Sequence, residues 1–91
     1  MATIKKIKSF EIDYDEYADV LYISFGKPRK AISIEANEGD FIRIDPFSDK
    51  IVGITIIDFK EKYLKKGNLQ ESAEAIIPQI LHTFEQRNKI S

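Results

Sequence analysis

Five carboxylates fall within nine residues, Glu11, Asp13, Asp15, Glu16 and Asp19, with no basic residue among them. Calcium and magnesium are hard cations that take clustered oxygen ligands, so Asp13, Asp15 and Asp19 are the candidate metal ligands of the chain. The spacing departs from the helix–loop–helix calcium motif. Asp13 and Asp15 could stand at its first and third positions, but Tyr17 holds the fifth and no glycine follows it. The competing reading is structural: short acidic side chains in turns accept hydrogen bonds from nearby backbone amides, and Asp15 and Asp19 are placed to fix a hairpin that way. The structural reading is preferred here, and no resident metal or cofactor is expected.

Other chemistry has less to start from. Asp45, Asp49 and Asp58 add carboxylates that could pair for acid–base work, which requires displaced pKa values and a cleft. They stand at strand ends and caps, where carboxylates are ordinary. His82, the only histidine, lies between Leu81 and Phe84 beside an apolar stripe, a packing position. The serines have no nucleophile-elbow glycines around them, and Gly39 and Gly53 belong to no phosphate-binding loop pattern. With no cysteine, disulfides, thiolate catalysis and cysteine-built zinc or iron–sulfur sites are excluded. No catalytic residue is assigned. Two basic clusters remain, Lys27, Arg29 and Lys30 on a turn, and Lys60, Lys62, Lys65 and Lys66 around Tyr63. Glu61 dilutes the second, and a net charge of -1 gives no general pull toward nucleic acid or anionic membrane. They read as solvated faces, and neither nucleic acid nor membrane is expected as a partner.

The elements that must carry these residues follow from periodicity. Apolar residues alternate at period two over 7–14, 20–25, 30–36, 41–45 and 51–57, the mark of half-buried strands. Gly26-Lys27-Pro28-Arg29, Asn37-Glu38-Gly39-Asp40 and Pro46-Phe47-Ser48-Asp49-Lys50 separate them as turns. Short connections make a sequential antiparallel meander the default topology. Asp58 with Glu61 has capping-box spacing for a short helix, ending at Gly67 after Lys65 and Lys66. Asn68 with Glu71 repeats the start signal for a longer one. Its stripe is Leu69, Ala73, Ile76, Ile77, Ile80, Leu81 and Phe84, with a kink or restart expected near Ile77 because of Pro78 and fraying from Arg87. The fold class is therefore α+β: one domain over 1–91, with a five-stranded, mostly antiparallel β-meander sheet in 7–57 and C-terminal helices in 58–89 packed on one face. Composition agrees, with 43% apolar and 32% charged residues and no apolar run near the ~18–20 residues that span a bilayer. Residues 1–8 are basic but lack the apolar core of a secretory signal, so a cytoplasmic protein is expected.

One face is apolar in every strand: Phe10 and Ile12, Leu21 and Ile23, Ile32 and Ile34, Ile42 and Ile44, then Val52, Ile54 and Ile56. The second is mixed, placing Glu11, Asp13, Ser33, Glu35, Arg43 and Thr55 beside Val20, Tyr22, Phe41, Ile51 and Ile57. The last strand is apolar on both sides. At the edge of a meander it would be an aggregation hazard and would need covering, and a homodimer is the expected solution.

The segment from about Ile12 to Phe59 resembles the small prokaryotic family catalogued as domain of unknown function, number 2283. Tyr14-Asp15-Glu16-Tyr17-Ala18-Asp19-Val20-Leu21-Tyr22-Ile23 is similar to its opening Tyr-Asp-x-x-Ala-Asp-x-Leu-Tyr-Ile, and Ile51-Val52-Gly53-Ile54-Thr55-Ile56-Ile57-Asp58 to its closing Val-x-Gly-Ile-Glu-Ile-Leu run. Asp45 lies where the family tends to carry an aspartate near a strand end, while Thr55 stands where an acid is common, which weakens any shared catalytic carboxylate there. The resemblance implies a compact sheet-plus-helix domain and, by analogy, small proteins that bind small basic toxins.

The functional expectation is a non-enzymatic protein-interaction or homodimerisation module, regulatory or antitoxin-like, that forms a homodimer and takes a small basic protein partner. Its interaction residues are Asp15, Glu16, Asp19, Tyr22, Phe41, Ile51 and Ile57. The alternative is a small enzyme or divalent-metal-dependent binder using the acidic turn.

Overall fold

The alternating segments form five strands in a computed structural model that describes residues 10–27, 29–63 and 68–90, with the side chains of 87–90 left aside: β1 (Phe10–Asp15), β2 (Val20–Phe25), β3 (Ile32–Asn37), β4 (Asp40–Ile44) and β5 (Ile51–Ile57). Two helices follow, α1 (Phe59–Lys62) and α2 (Leu69–Ile90). The expected strand start at Ile7, the turn proline Pro28, and the helix end at Lys65, Lys66 and Gly67 lie outside the described residues.

All strand pairs are antiparallel, and helices cover one face, as the sequence predicts. The order is β1-β2-β5-β4-β3, which corrects the sequential meander. Strands β2 to β5 form a Greek key, in which β3, β4 and β5 follow one another and β5 returns to lie beside β2. Consequently β5 is the central strand, and among the described strands β1 and β3 are the outermost. The physical reason is visible in its residues. A segment apolar on both sides gains most when strands flank it on both sides, and the middle of the sheet also removes the hazard of an apolar edge.

Leu21, Ile23, Ile42, Ile54 and Ile56 are fully buried on the covered face and meet Ala73, Ile76, Ile80 and Phe84 of α2, which lies over β3 and β4. Asn68 Oδ1 accepts the Glu71 amide at 2.8 Å, the N-cap that the spacing predicts. Helix α2 crosses Pro78 as one element, without the restart that the proline allowed near Ile77, and stays helical to Ile90, past the fraying expected from Arg87. Its buried residues stand on both sides of the proline, so packing holds the two halves in register. His82, expected at a packing boundary, is exposed. No helix is long and apolar enough to cross a membrane among the described residues.

Gly53 marks the tightest point of the sheet. A Cβ there would stand 2.7 Å from the Ile23 carbonyl oxygen and 3.2 Å from Arg43 Nη1. The backbone oxygen cannot yield without moving β2, so Gly53→Ala should lower stability by about 1–2 kcal/mol, even after the smaller entropic gain of replacing glycine. Urea unfolding checks this, and an unchanged midpoint would contradict the close approach.

Candidate functional site

Strand register builds a continuous uncovered surface on the face opposite the helices. Asp13 pairs with Tyr22, Tyr22 with Thr55, Thr55 with Phe41 and Phe41 with Glu35, one row across all five strands. Val20 and Ile57 lie beside it toward one end, and Glu11, Ser24, Gly53, Arg43 and Ser33 form the neighbouring row toward the other. Tyr22 is 40% exposed and Ile57 39%, with Val20, Phe41 and Thr55 half-buried. Both helices pack on the opposite side, so among the described residues no element covers this band. Successive same-face residues on β1 are about 6.6 Å apart, which sets exposed Glu11, Asp13 and Asp15 in a line along one margin. The site is an aromatic and aliphatic centre with an acidic border.

Arg43 is the cation of the face. Its side chain lies across Gly53, and its Nη2 donates to the Arg29 carbonyl at 3.1 Å. Arg29 in turn meets Asp45 at 3.3 Å. These bonds tie the crossover between β2 and β3 to the end of β4. Asp45 lies below its ordinary range, held there by the Phe47 and Ser48 amides and by Arg29, against the opposing effect of burial.

The acidic turn separates into parts with different work. Asp15 Oδ1 accepts the amides of Tyr17 at 3.0 Å and Ala18 at 3.2 Å, fixing the hairpin. Glu16 and Tyr17 are exposed at its tip. Asp19 adopts a left-handed backbone, φ 56°, and turns toward α1. Its Oδ1 accepts the Tyr14 hydroxyl at 2.6 Å and the Lys60 amide at 2.8 Å, while its carbonyl accepts the Phe59 amide at 3.2 Å. Asp19 therefore caps α1. Asp58, the residue whose spacing predicts the cap, is itself left-handed at φ 59° and makes no side-chain cap bond. Of the candidate ligands, Asp15 is engaged by the turn amides and Asp19 by Tyr14 and α1, Asp13 is exposed, and among the described residues no three His, Asp or Glu side chains group as a metal site.

The Asp19–Tyr14 bond shifts both partners. The Tyr14 hydroxyl, then the α1 amides, holds Asp19 below its ordinary 3.8, against the effect of burial. The same bond, reinforced by burial, pushes the Tyr14 phenol from 10 to about 12. Folding favours ionised Asp19, so its contribution is complete above pH 3.8 and is lost as pH falls through the lower native value. Folding favours neutral Tyr14, so its contribution is complete below pH 10 and is lost as pH rises through about 12. Melting temperatures across both limbs should show Tyr14→Phe with a flatter alkaline limb and a partly flattened acid limb, since the α1 amides still hold Asp19, and Asp19→Asn with both limbs flattened. An Asp19→Asn chain with unchanged limbs would remove this bond as their source.

A second polar cluster lies under the opposite end of α1. Asp40, fully buried, receives the Lys62 ammonium at 2.8 Å and the Tyr63 hydroxyl. Lys62 also donates to the Glu38 carbonyl at 3.0 Å and lies 5.2 Å from the Tyr63 ring centre. Burial, then the bond to Asp40, pushes the Tyr63 phenol well above its usual range. The cluster fastens α1 to the β3–β4 turn. Sequence reading left Asp40 in a turn and Lys62 on a solvated face. The signal was nevertheless present, because alternation with Ile42 and Ile44 puts Asp40 on the covered face, where a carboxylate requires a partner. A cavity of about 330 Å³ opens beside Lys62 and Tyr63 against Glu71, Ser72, Ile76 and Gln79 of α2, with the Lys62 ammonium already engaged by Asp40.

Of the sequence-predicted interaction residues, Tyr22, Phe41 and Ile57 share the open face, and Asp15 borders it. Asp19 is turned away, and Ile51 packs against the core cluster because the β4–β5 register shifts next to it. A family model described as protein of unknown function (DUF2283) matches residues 11–60, which run from the second residue of β1 through β5 to the start of α1. Neither a curated protein nor a solved structure matches the chain.

Proposed function

We propose, for a chain that belongs to the DUF2283 family of proteins of unknown function, a non-enzymatic role as a protein-interaction module that receives a small basic protein on the open face of its sheet. The observation that carries this reading is the uncovered band of Val20, Tyr22, Phe41 and Ile57 beside the exposed carboxylates of Glu11, Asp13 and Asp15. An apolar, aromatic centre supplies the contact that expels water, and a one-sign margin steers a partner of opposite charge and sets its orientation. The role is regulatory and antitoxin-like: the module occupies the basic partner's own working surface. Asp19, spent on capping α1, contributes to the fold of this site and not to its contact.

The test is native mass spectrometry on protein tagged at its own locus, repeated with Glu11→Lys/Asp13→Lys and with Tyr22→Ala. A heteromer with a basic companion is expected, weakened at least tenfold by either change, with the charge variant acting mainly through association rate and losing its salt dependence. A companion whose binding ignores both changes would overturn the reading.

A further inference from the structure

The sheet carries opposite charge at its two ends. Where the β1–β2 and β3–β4 turns lie, Asp15, Glu16, Glu38 and Asp58 are exposed. At the other end the β2–β3 crossover and the β4–β5 turn present exposed Lys27, Lys30 and Lys50, with Asp49 the exposed carboxylate among them. Arg29 and Asp45, 3.3 Å apart, offset one another there. The net charge of -1, which gives no general pull toward an anionic surface, averages over these two ends.

Phe47 stands on the basic end, at the tip of the β4–β5 turn, and is 97% exposed. Phe10 and Phe25, at the same end, pack edge to face instead. The turn that carries Phe47 is closed. Asp45 Oδ1 accepts the Phe47 amide at 2.8 Å, the Asp45 amide donates to the Lys50 carbonyl at 2.9 Å, and the Asp49 amide donates to the Asp45 carbonyl at 2.8 Å. Nothing in this hydrogen bonding requires a phenyl ring at the tip. An apolar ring held in water is stabilised by whatever takes it out of water.

We propose that this end of the sheet docks on an anionic lipid bilayer, with Phe47 entering the boundary between headgroups and acyl chains and Lys27, Lys30 and Lys50 meeting lipid phosphates. The shape selects the occupant. A ring on a convex tip has little surface around it to match the roughly 800 Å² that a stable protein interface takes from each partner. A single-stranded nucleic acid is held by successive aromatics along a basic groove, and the other fully exposed aromatic, Tyr17, lies at the acidic end. A bilayer yields to a wedge without a matching pocket, and its negative surface potential attracts lysines within a Debye length. The same field turns the acidic end toward solvent. One ring and three lysines make the attachment reversible. The strands then stand on the surface by their ends, and the open face stays clear for the basic partner.

The chain has no tryptophan, so Phe47→Trp supplies a single indole reporter. On vesicles of phosphatidylglycerol and phosphatidylcholine in equal parts its emission should shift to the blue, while that of Tyr17→Trp should not. The unchanged chain should sediment with these vesicles and stay in solution with phosphatidylcholine alone or at raised salt. Its partition should fall about tenfold in Phe47→Ala and about tenfold or more in Lys27→Glu/Lys30→Glu. Every substituted position is exposed, so melting temperatures should not change. A chain that ignores anionic vesicles, a partition indifferent to Phe47→Ala, or an equal blue shift from Tyr17→Trp would overturn the docking. A preference for polyglutamate or a single-stranded oligonucleotide over the vesicles would overturn it as well. None of these results bears on the basic partner, whose loss is read from the open-face variants.

Discussion

Asp40→Ala is expected to remove about 3 kcal/mol of folding stability, the lower end of the range for breaking a buried ion pair. The carboxylate is completely buried and serves as acceptor for both Lys62 and Tyr63, so truncation leaves a cation and a phenol without their partner. The lower end applies because the Lys62 side chain keeps 29% exposure and its bond to the Glu38 carbonyl, and can turn partly to water. Asp40→Asn preserves an acceptor but not the charge, and should fall between Asp40→Ala and the parent. The combination Asp40→Leu, Lys62→Met and Tyr63→Phe replaces the cluster with apolar groups and should recover most of the loss, since burying two charges costs nearly what their attraction returns. Urea unfolding of the series measures this. A loss below about 1 kcal/mol for Asp40→Ala would mean that the cluster contributes no more than an exposed pair.

Phe59→Ala should cost more, about 3–5 kcal/mol. Phe59 is fully buried, with its ring edge-on to Tyr14 at 6.1 Å and tilted against Tyr63 at 6.2 Å. Helix α1 has only four residues and cannot persist alone, and this ring is its fully buried apolar anchor beside the polar contacts of Asp19 and Asp40. Releasing it also separates the Lys60 amide from Asp19 and Lys62 from Asp40. The costs of Phe59→Ala and Asp40→Ala should therefore combine to less than their sum, a coupling that a double-mutant cycle reads directly. Phe59→Leu should retain about half of the stability lost in Phe59→Ala, and hydrogen exchange at 59–63 should quicken in the alanine variant alone. Full additivity in the cycle would show that α1 stays docked without its anchor.

Which parts of this were legible in the sequence follows from what each signal encodes. Alternation at period two states which face a residue takes, so the covered set of Leu21, Ile23, Ile42, Ile54 and Ile56 and the open set of Tyr22, Phe41 and Ile57 were readable. Alternation says nothing about which strands are neighbours. The apolarity of Ile51–Ile57 on both sides was the clue to a central strand, and an edge needing a cover was the other explanation of the same residues. Local caps were readable where the partner is three residues away, as at Asn68 and Glu71. They failed at α1, where the capping oxygen belongs to Asp19, 41 residues from Lys60. The candidate site divides the same way: a register shift that no spacing announces moves Ile51 to the core cluster, and the acidic turn proves to be a fold device in Asp19 and a surface in Asp13.

The position of β5 has a kinetic corollary. The hairpins β1–β2 and β3–β4 close over short loops, yet they share no ladder until the chain reaches Ile57 and β5 enters between them. Pairing β5 with β2 closes a loop of some thirty residues, Ser24 to Gly53 at its shortest, and loop closure of that kind is what slows β-rich domains. During synthesis on a ribosome the two hairpins wait without a joint hydrophobic face, and the most apolar strand is the last to find shelter. A chain interrupted within β5 has two hairpins that nothing joins, each at best marginally stable by itself.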